Sequence, residues 1–304
     1  MLSAVASLTR GPVELAVGIA FDRRFRLFAI NRRGLVFDTR FAPAVPGSTE
    51  GVIVYLLLEG ELRWSDGQAL VGPALFLMRE RDFEGDAGGR AGGRTFRSWG
   101  EPYRTVELRL RPADCAIALG ESPPVIELDG ADDPILAAGR LYLHASHAKK
   151  GRTLVAELAA DYLRRLRERG ILAVDLASTI THDEGIRGAL WEALRPAVEA
   201  FGASAKQDDI VSRVGWGARR VQRELLRMVV AHGVDWLGGW RQVTLRYRVR
   251  VAVMLLSNPT LSVGEVADAL GYASVEALAH AFEACGLPPA TEVRRAIRAA
   301  GSTA

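Results

Sequence analysis

The sequence predicts an α+β fold, with an antiparallel β-sandwich or β-barrel in front and an all-α C-terminal part. Short runs rich in β-branched, aromatic and Leu residues, separated by Gly, Pro and Asp, occupy residues 13–128. From about Pro134, apolar residues recur with helical spacing. Residues 204–294 then contain two copies of a helix, tight turn, helix pattern. We therefore expect two domains, 1–180 and 181–304.

The first part contains six predicted strands and one predicted loop. The strands cover residues 13–20, 24–30, 34–41, 52–58, 74–78 and 105–110. Clusters of Gly, Pro and Asp between them supply turns, and the glycine-rich piece 85–93 is predicted to be a loop. Strands this short and closely spaced favour antiparallel pairing.

A helix is predicted over residues 153–169. It has an apolar face at helical spacing, and Gly170 ends it. The face consists of Leu154, Val155, Leu158, Tyr162 and Leu166. We expect this helix to pack on the barrel and to help form a homodimer, with purely intramolecular packing as the open alternative. A further helix is expected from the capping-box spacing of Thr181 and Glu184 toward Phe201, bent near Pro196.

The C-terminal part contains an internal repeat. Capping-box spacing occurs at Ser204–Gln207 and again at Ser262–Glu265. Each is followed by a short apolar-periodic helix, a glycine suited to a sharp turn, an aromatic residue and a second helix. The glycine and aromatic pairs are Gly215-Trp216 and Gly271-Tyr272. A long helix over about 234–257, stopped by Pro259, joins the two units.

Composition restricts the class of protein. The chain has 304 residues, 49% of them hydrophobic and 25% charged, as in soluble globular proteins. Its two cysteines, Cys115 and Cys285, lack metal-ligand spacing and are interpreted as reduced thiols. No signal peptide is evident, and the longest apolar run, 52–58, is too short to span a bilayer. We expect a cytoplasmic protein without a membrane partner.

The basic residues are concentrated toward the C-terminus. Residues 186–304 contain 15 Lys and Arg against 11 Asp and Glu, whereas residues 1–185 contain 24 against 25. This mild bias is consistent with contact to nucleic-acid phosphates.

The region 186–298 closely resembles the AraC/XylS type of transcription regulator. The first unit matches at Val214-Gly215 and at Arg219-x-Val221-Gln222-Arg223. The second unit matches at 256–259, 261–267, 270–274, 281–282, 286–289 and Arg294. The resemblance implies a double helix-turn-helix domain that binds double-stranded DNA, with RNA polymerase as a partner. It leaves activation or repression, the target genes and the effector open.

The resemblance also implies which residues contact DNA. In the first unit, Arg219, Gln222 and Arg223 occupy base- or phosphate-facing positions, and Arg220 and Arg227 suit phosphates. The alternative for such a run is an ordinary solvated helix face.

The second unit departs from the family pattern, because residues 251–293 contain no Lys or Arg. Its matching exposed positions include Glu276 and His280, with Glu283 just beyond. It could bind DNA through the helix N-terminus at Ser274, through a protonated His280, or hardly at all. An interaction protein on the same fold, with degraded DNA binding in this unit, is the alternative function.

For the front domain, the resemblance implies a cupin-like barrel that binds an effector or mediates dimerisation. Residues 54–62, 66–67 and 72–77 look like part of such a barrel. No histidine occurs before His144, which argues against a metal-dependent barrel enzyme, and neither a metal nor a cofactor is expected. No Ser-His-Asp order, Walker loop or dinucleotide fingerprint stands out, so we expect a non-enzyme.

Aromatic residues of the front domain are the candidates for lining a pocket for a small organic effector. They serve equally well as ordinary core residues. The set is Trp64, Phe76, Phe83, Phe96, Trp99 and Tyr103.

Overall fold

The computed structural model describes residues 1–43, 51–80, 95–120, 122–148, 152–180, 185–201, 207–231 and 239–300. Within these ranges, nine strands form one antiparallel sheet in the order β1-β2-β3-β8-β5-β7-β9, with β4 paired to β8 and β6 to β5. The strands are β1 Leu2–Arg10, β2 Val13–Phe21, β3 Phe25–Arg33, β4 Phe37–Asp38, β5 Val52–Trp64, β6 Ala69–Val71, β7 Ala74–Arg79, β8 Phe96–Leu110 and β9 Val125–Ile126.

Nine helices follow the sheet in the described part of the chain. They are α1 Pro134–His147, α2 Arg152–Glu168, α3 Gly185–Glu199, α4 Gln207–Val214, α5 Ala218–Ala231, α6 Gly239–Ser257, α7 Val263–Ala269, α8 Val275–Ala284 and α9 Ala290–Ala299. The α+β architecture with an antiparallel N-terminal sheet is therefore as predicted. Pro196 lies within α3, while the predicted capping residues Thr181 and Glu184 lie outside the described residues.

The sheet is not closed, so the predicted barrel is not confirmed. Its edge strands, β1 and β9, pair only with β2 and β7 among the described strands. A helix covers one edge instead, because α3 packs against β1. Trp191 of α3 donates a hydrogen bond from Nε1 to the carbonyl oxygen of Ser3, 3.0 Å away. Covering an exposed edge strand with a helix is a common way to prevent unwanted pairing.

The six predicted strands correspond to β2, β3, β4, β5, β7 and β8, but several bounds differ. Most of the predicted strand 34–41 is not extended, since only Phe37–Asp38 pairs and a 3-10 helix, Thr39–Phe41, follows. Strand β5 continues six residues beyond Leu58, through register shifts around Glu59. Gly60, at φ +109°, supplies the backbone conformation of this irregularity. The predicted loop 85–93 and Phe83 lie outside the described residues.

One face of the sheet is covered by α1 and α2. The backbone of α1 comes so close to β5 that a Cβ at Gly139 would lie 2.4 Å from Leu56 Cδ2. On α2, Tyr162 is buried and its ring stacks on that of Tyr142 of α1 at 6.5 Å between centroids. The predicted apolar face of this helix is thus used largely within the chain, and the homodimer stays a prediction.

The other face of the sheet shares an apolar core with the C-terminal helices. This shared core contains Leu15 of β2, Tyr55 of β5, Leu255 of α6 and Phe282 of α8, all almost fully buried. Polar contacts surround it. Asn258 donates from Nδ2 to the carbonyl oxygen of Gly34 at 2.7 Å, and Ser257 Oγ accepts from the backbone N–H of Val36 at 2.8 Å.

Candidate nucleic-acid interface

The first helix-turn-helix unit consists of α4 and α5. Gly215 ends α4 in the left-handed conformation, at φ +68°, and its N–H donates to the carbonyl oxygen of Val211 at 2.9 Å. The predicted capping residue of α4, Ser204, lies outside the described residues. Ile210 of α4 and Val221 of α5 are buried in one apolar cluster with Leu190 of α3. This cluster fixes how α5 sits on the rest of the unit.

Helix α5 has one buried and one exposed face. Val221 and Met228 belong to the buried cluster, and Leu225 packs against it. The DNA-contacting residues predicted for the first unit all lie on the exposed part of this helix. They are Arg219, Arg220, Gln222, Arg223 and Arg227. The structure therefore brings the five predicted side chains together on one helix surface, where they are accessible to a large partner.

Glu224 organises part of this surface and was missed by the sequence analysis. Its carboxylate is almost buried and accepts from Arg227 Nη1 at 2.9 Å and from Arg223 Nε at 3.3 Å. Both arginine side chains remain more than half exposed. Glu224 thus restrains two cations that still face solvent. The only advance signal was its spacing, one and three residues from these arginines.

Arg220 packs over an aromatic ring at the start of α5. Its guanidinium lies 4.6 Å from the centroid of the Trp216 ring, in the turn between α4 and α5. Such a cation–π contact contributes about 0.5–1 kcal/mol at an exposed site. The contact orients Arg220 toward the start of α5, at the edge of the surface carrying Arg219 and Gln222.

The second unit, α7 and α8, contains the local contacts that its motif predicts. Ser262 Oγ accepts from the N–H of Glu265 at 3.1 Å, and Glu265 Oε2 accepts from the N–H of Ser262 at 2.7 Å. The backbone hydrogen bond from Ser262 lowers the pKa of Glu265. Gly271 turns the chain at φ +66°.

An arginine also covers the aromatic residue of the second turn. The guanidinium of Arg248, on α6, lies 3.8 Å from the centroid of the Tyr272 ring and donates from Nη2 to the carbonyl oxygen of Leu270 at 2.7 Å. Helix α6 contacts α5 of the first unit, α7 and α8 of the second, and the following helix α9. It therefore connects the two units physically as well as in sequence.

The outer face of α8 is acidic. Ser274 caps the helix, its Oγ accepting from the N–H of Ala277 at 3.2 Å. A hydrogen bond with the Ser274 side chain lowers the pKa of Glu276, so this carboxylate stays ionised at the helix N-terminus. Exposed His280 lies 3.6 Å from Glu283, measured from Nδ1 to Oε2. These groups give the exposed face of α8 hydrogen-bond acceptors and negative charge.

The predicted effector residues divide between the interior and the rim of the sheet. Trp64, Phe76 and Tyr103 are almost fully buried, and the rings of Trp64 and Phe76 meet edge to face at 5.5 Å. Phe96 is buried too. Trp99 is half-buried, with the guanidinium of Arg63 at 5.5 Å from its ring.

Two polar side chains beside this aromatic set were missed by the sequence analysis. The hydroxyls of Tyr55 and Tyr103 are 2.6 Å apart. Buried Arg32 lies over the Tyr103 ring at 4.0 Å and donates from Nη2 to the carbonyl oxygen of Ser98 at 2.9 Å. Burial raises the pKa of both tyrosines and lowers that of Arg32. A local sequence pattern does not show whether an arginine in an alternating strand is buried, because its burial depends on strands far away in sequence.

Within the described ranges, no group of three or more His, Cys, Asp or Glu side chains is arranged to hold a metal ion. None of the helices given above is long and apolar enough to cross a bilayer.

The sequence matches no protein-family model, and no curated protein matches it. Among solved structures, ToxT from Vibrio cholerae is 10% identical with a TM-score of 0.32, over 89% of this chain and 98% of that one. A second ToxT structure, bound to an unsaturated fatty acid, is 10% identical with a TM-score of 0.35, over 90% and 96%. The AraC-like transcriptional activator CuxR is 14% identical with a TM-score of 0.32, over 83% and 86%. The sequence identities and the TM-scores are both low, so the function proposed below depends on this chain's own residues.

Proposed function

We propose that this protein is a sequence-specific, DNA-binding transcription regulator of the AraC/XylS type. Residues 181–304 form its DNA-binding domain and residues 1–180 its regulatory domain, without an enzymatic activity. The observation that carries the proposal is the exposed face of α5. Arg219, Gln222 and Arg223 lie together on it, while Val221 and Met228 anchor the opposite face.

This arrangement suits recognition in the major groove. A helix of this kind fits the groove with its N-terminal residues against the base edges. Arg pairs bidentately with guanine and Gln with adenine, and each good pair contributes about 1–3 kcal/mol of discrimination. Arg227 and Arg220, near the two ends of the same surface, are suited to phosphates. Restraint of Arg223 and Arg227 by Glu224 reduces the side-chain entropy lost on binding.

The second unit contributes less to affinity. Its helix α8 exposes Glu276 and Glu283, and residues 251–293 contain no cation to neutralise phosphate. The same observation favours the second candidate function, an interaction protein on this fold in which α8 no longer binds DNA. A regulator whose DNA binding depends mainly on the first unit is also consistent with an acidic α8.

The regulatory domain is proposed to respond to a small organic effector without a metal. The aromatic set of Trp64, Phe76, Tyr103 and Trp99 supports apolar contact, and Arg32 and Tyr55 add polar groups. This face of the sheet shares its core with the C-terminal helices. Because these side chains pack together, a rearrangement of the core around a bound effector would also shift α6 and the second unit.

Two macromolecular partners complete the proposal. The resemblance supports RNA polymerase as a partner of the DNA-bound regulator. A homodimer through α2 is proposed with the exposed Leu154 at its centre, because the remaining apolar positions of that helix are mostly buried within the chain.

Selection of bound sites from random duplexes, followed by a salt titration on the selected site, tests the function. A regulator enriches a defined sequence, and the logarithm of its association constant falls linearly with the logarithm of salt concentration by about 0.9 per phosphate neutralised. Arg219→Ala is the informative variant, and Arg140→Ala, at an exposed position of α1, is the matched control for loss of one cation. Failure to enrich any sequence, with weak binding of all duplexes alike, contradicts the proposal and favours the interaction protein.

A further inference from the structure

An exposed leucine interrupts the polar surface of α5. Leu226 is 62% exposed, although its neighbours Leu225 and Met228 pack into the cluster beneath the helix. Single exposed apolar residues are common on protein surfaces and need no special explanation by themselves. What distinguishes Leu226 is the surface on which it lies.

Helical geometry puts Leu226 in the middle of the proposed recognition face. At 3.6 residues per turn, a residue seven positions after Arg219 lies about 20° from it around the helix axis. Gln222 and Arg223 then flank Leu226 on either side, one turn nearer the helix N-terminus. The buried Val221 and Met228 are on the opposite side. Leu226 therefore points in the same direction as the side chains proposed to read bases.

The bases offer one apolar group that such a side chain can recognise. In the major groove, thymine presents a C5-methyl group, whereas the other three bases present hydrogen-bonding groups or a bare C–H. A leucine cannot donate or accept a hydrogen bond, so it gives no favourable contact to a polar base edge. Its flanking Arg and Gln would hold it within the groove.

We propose that Leu226 determines specificity by packing against the C5-methyl group of a thymine, beside the bases contacted by Arg223 and Gln222. This inference rests on the proposed function, since it assumes that α5 enters the major groove. It adds a base preference that charge and hydrogen bonding alone do not predict.

Replacement of thymine by deoxyuridine tests the contact, because deoxyuridine lacks only the methyl group. The selected duplex is scanned with one thymine replaced at a time, against the full-length protein and Leu226→Ala. Wild-type binding should weaken about fourfold at one thymine, the value expected for one buried methyl-sized group. Leu226→Ala should bind the thymine duplex more weakly by a similar factor and show no further loss with deoxyuridine there. Leu141→Ala, which shortens an exposed leucine on α1, is the control and should keep the wild-type scan.

The failures of the two proposals are distinguishable. If the wild-type protein binds its selected duplex but no thymine is sensitive to loss of its methyl group, the assignment to Leu226 is wrong and the regulator stands. The assignment is equally wrong if Leu226→Ala retains the sensitivity at that thymine. If no duplex is bound specifically, both proposals fall together. Because Leu226 is exposed, its substitution leaves the core of the unit intact.

Discussion

Asn258 joins the turn between α6 and α7 to the turn after β3, by donating from Nδ2 to the carbonyl oxygen of Gly34 at 2.7 Å. With Oδ1 the same side chain accepts from the N–H of Thr260 at 2.8 Å. One amide thus shapes a turn of the second unit and attaches that turn to the sheet. Gly34 is suited to this contact because it has φ +67° and leaves little space above its Cα.

Replacing Gly34 with alanine should show how closely the turn after β3 packs against the turn between α6 and α7. A Cβ there would lie 3.0 Å from the carbonyl oxygen of Pro12 and 3.1 Å from Asn258 Nδ2. Gly11 is the matched control, since it also has a positive φ, +56°, but no atom within 4 Å of a built Cβ. Both substitutions incur a left-handed backbone penalty of about 1–2 kcal/mol. We expect Gly34→Ala to lower the free energy of unfolding by about 1 kcal/mol more, measured by urea denaturation. Equal losses for the two variants would show that the contact to Asn258 is loose.

DNA recognition should be asymmetric between the two units. Arg223→Ala is expected to cost about 1–3 kcal/mol of binding free energy and to relax specificity at one position of the site. His280→Ala should cost less than about 1 kcal/mol, because the exposed ring lies 3.6 Å from the Glu283 carboxylate, which repels phosphate. Measurement uses titration of a labelled duplex and its single-base variants. If His280→Ala or Glu276→Ala alters sequence preference more than Arg219→Ala and Arg223→Ala do, α8 is the reading helix instead.

Glu224→Gln should separate specificity from general affinity. The substitution keeps a similar shape but removes the charge that restrains Arg223 and Arg227. Binding to random duplex should stay the same or rise, since one negative charge near the phosphates is lost. The preference for the selected site over random duplex should fall by about 1 kcal/mol, as the two arginines lose a charge-assisted partner. An unchanged preference would mean that Glu224 serves only the stability of α5.

Stability should decrease in mild acid through His147. Its Nε2 lies 2.8 Å from the carbonyl oxygen of Ala29, so the neutral ring donates this hydrogen bond. Burial lowers the pKa of His147, and Arg104 and His144 lower it further. The unfolded chain, with a histidine pKa of about 6.5, therefore takes up the proton first as the pH falls. The free energy of unfolding should decline as the pH falls below about 6.5 toward the folded-state pKa.

Urea denaturation at pH 7.5 and at pH 5.5 checks the role of His147, with His147→Asn as the comparison. The variant should lose less stability than the wild type between the two pH values. His144→Asn is the control for loss of another histidine of α1, one turn away. Identical pH dependence in the wild type and His147→Asn would assign the effect to other groups.

Local patterns predicted the second helix-turn-helix unit well. The capping box of Ser262 and Glu265 and the glycine at 271 are formed by residues close together in sequence, so their geometry can be inferred from spacing. The family resemblance implied outward-facing positions for Arg219, Gln222 and Arg223, and all three are exposed on α5. A sequence pattern is sufficient where the interacting groups are within one or two turns of each other.

Long-range features could not be predicted in this way. Strand β1 was missed because its small residues, such as Ala4 and Ala6, give little alternation, and its pairing with β2 and cover by Trp191 come from elsewhere in the chain. Whether a sheet closes into a barrel depends on whether its two edge strands pair with each other, and amino-acid composition does not determine that. The burial of Arg32 depends on Ser98 and Tyr103, about 70 residues away.

The apolar core that Leu15 and Tyr55 share with Leu255 and Phe282 restricts how this chain can be recombined. A chimera that joins residues 1–180 to the C-terminal helices of another protein of similar fold would bring two surfaces together that had not adapted to each other. Leu255 and Phe282 would be replaced by side chains of different volume, and mismatched cores lose about 1–3 kcal/mol at each overpacked position. Inheritance of the two halves as a matched pair, rather than as exchangeable modules, is the expected evolutionary outcome.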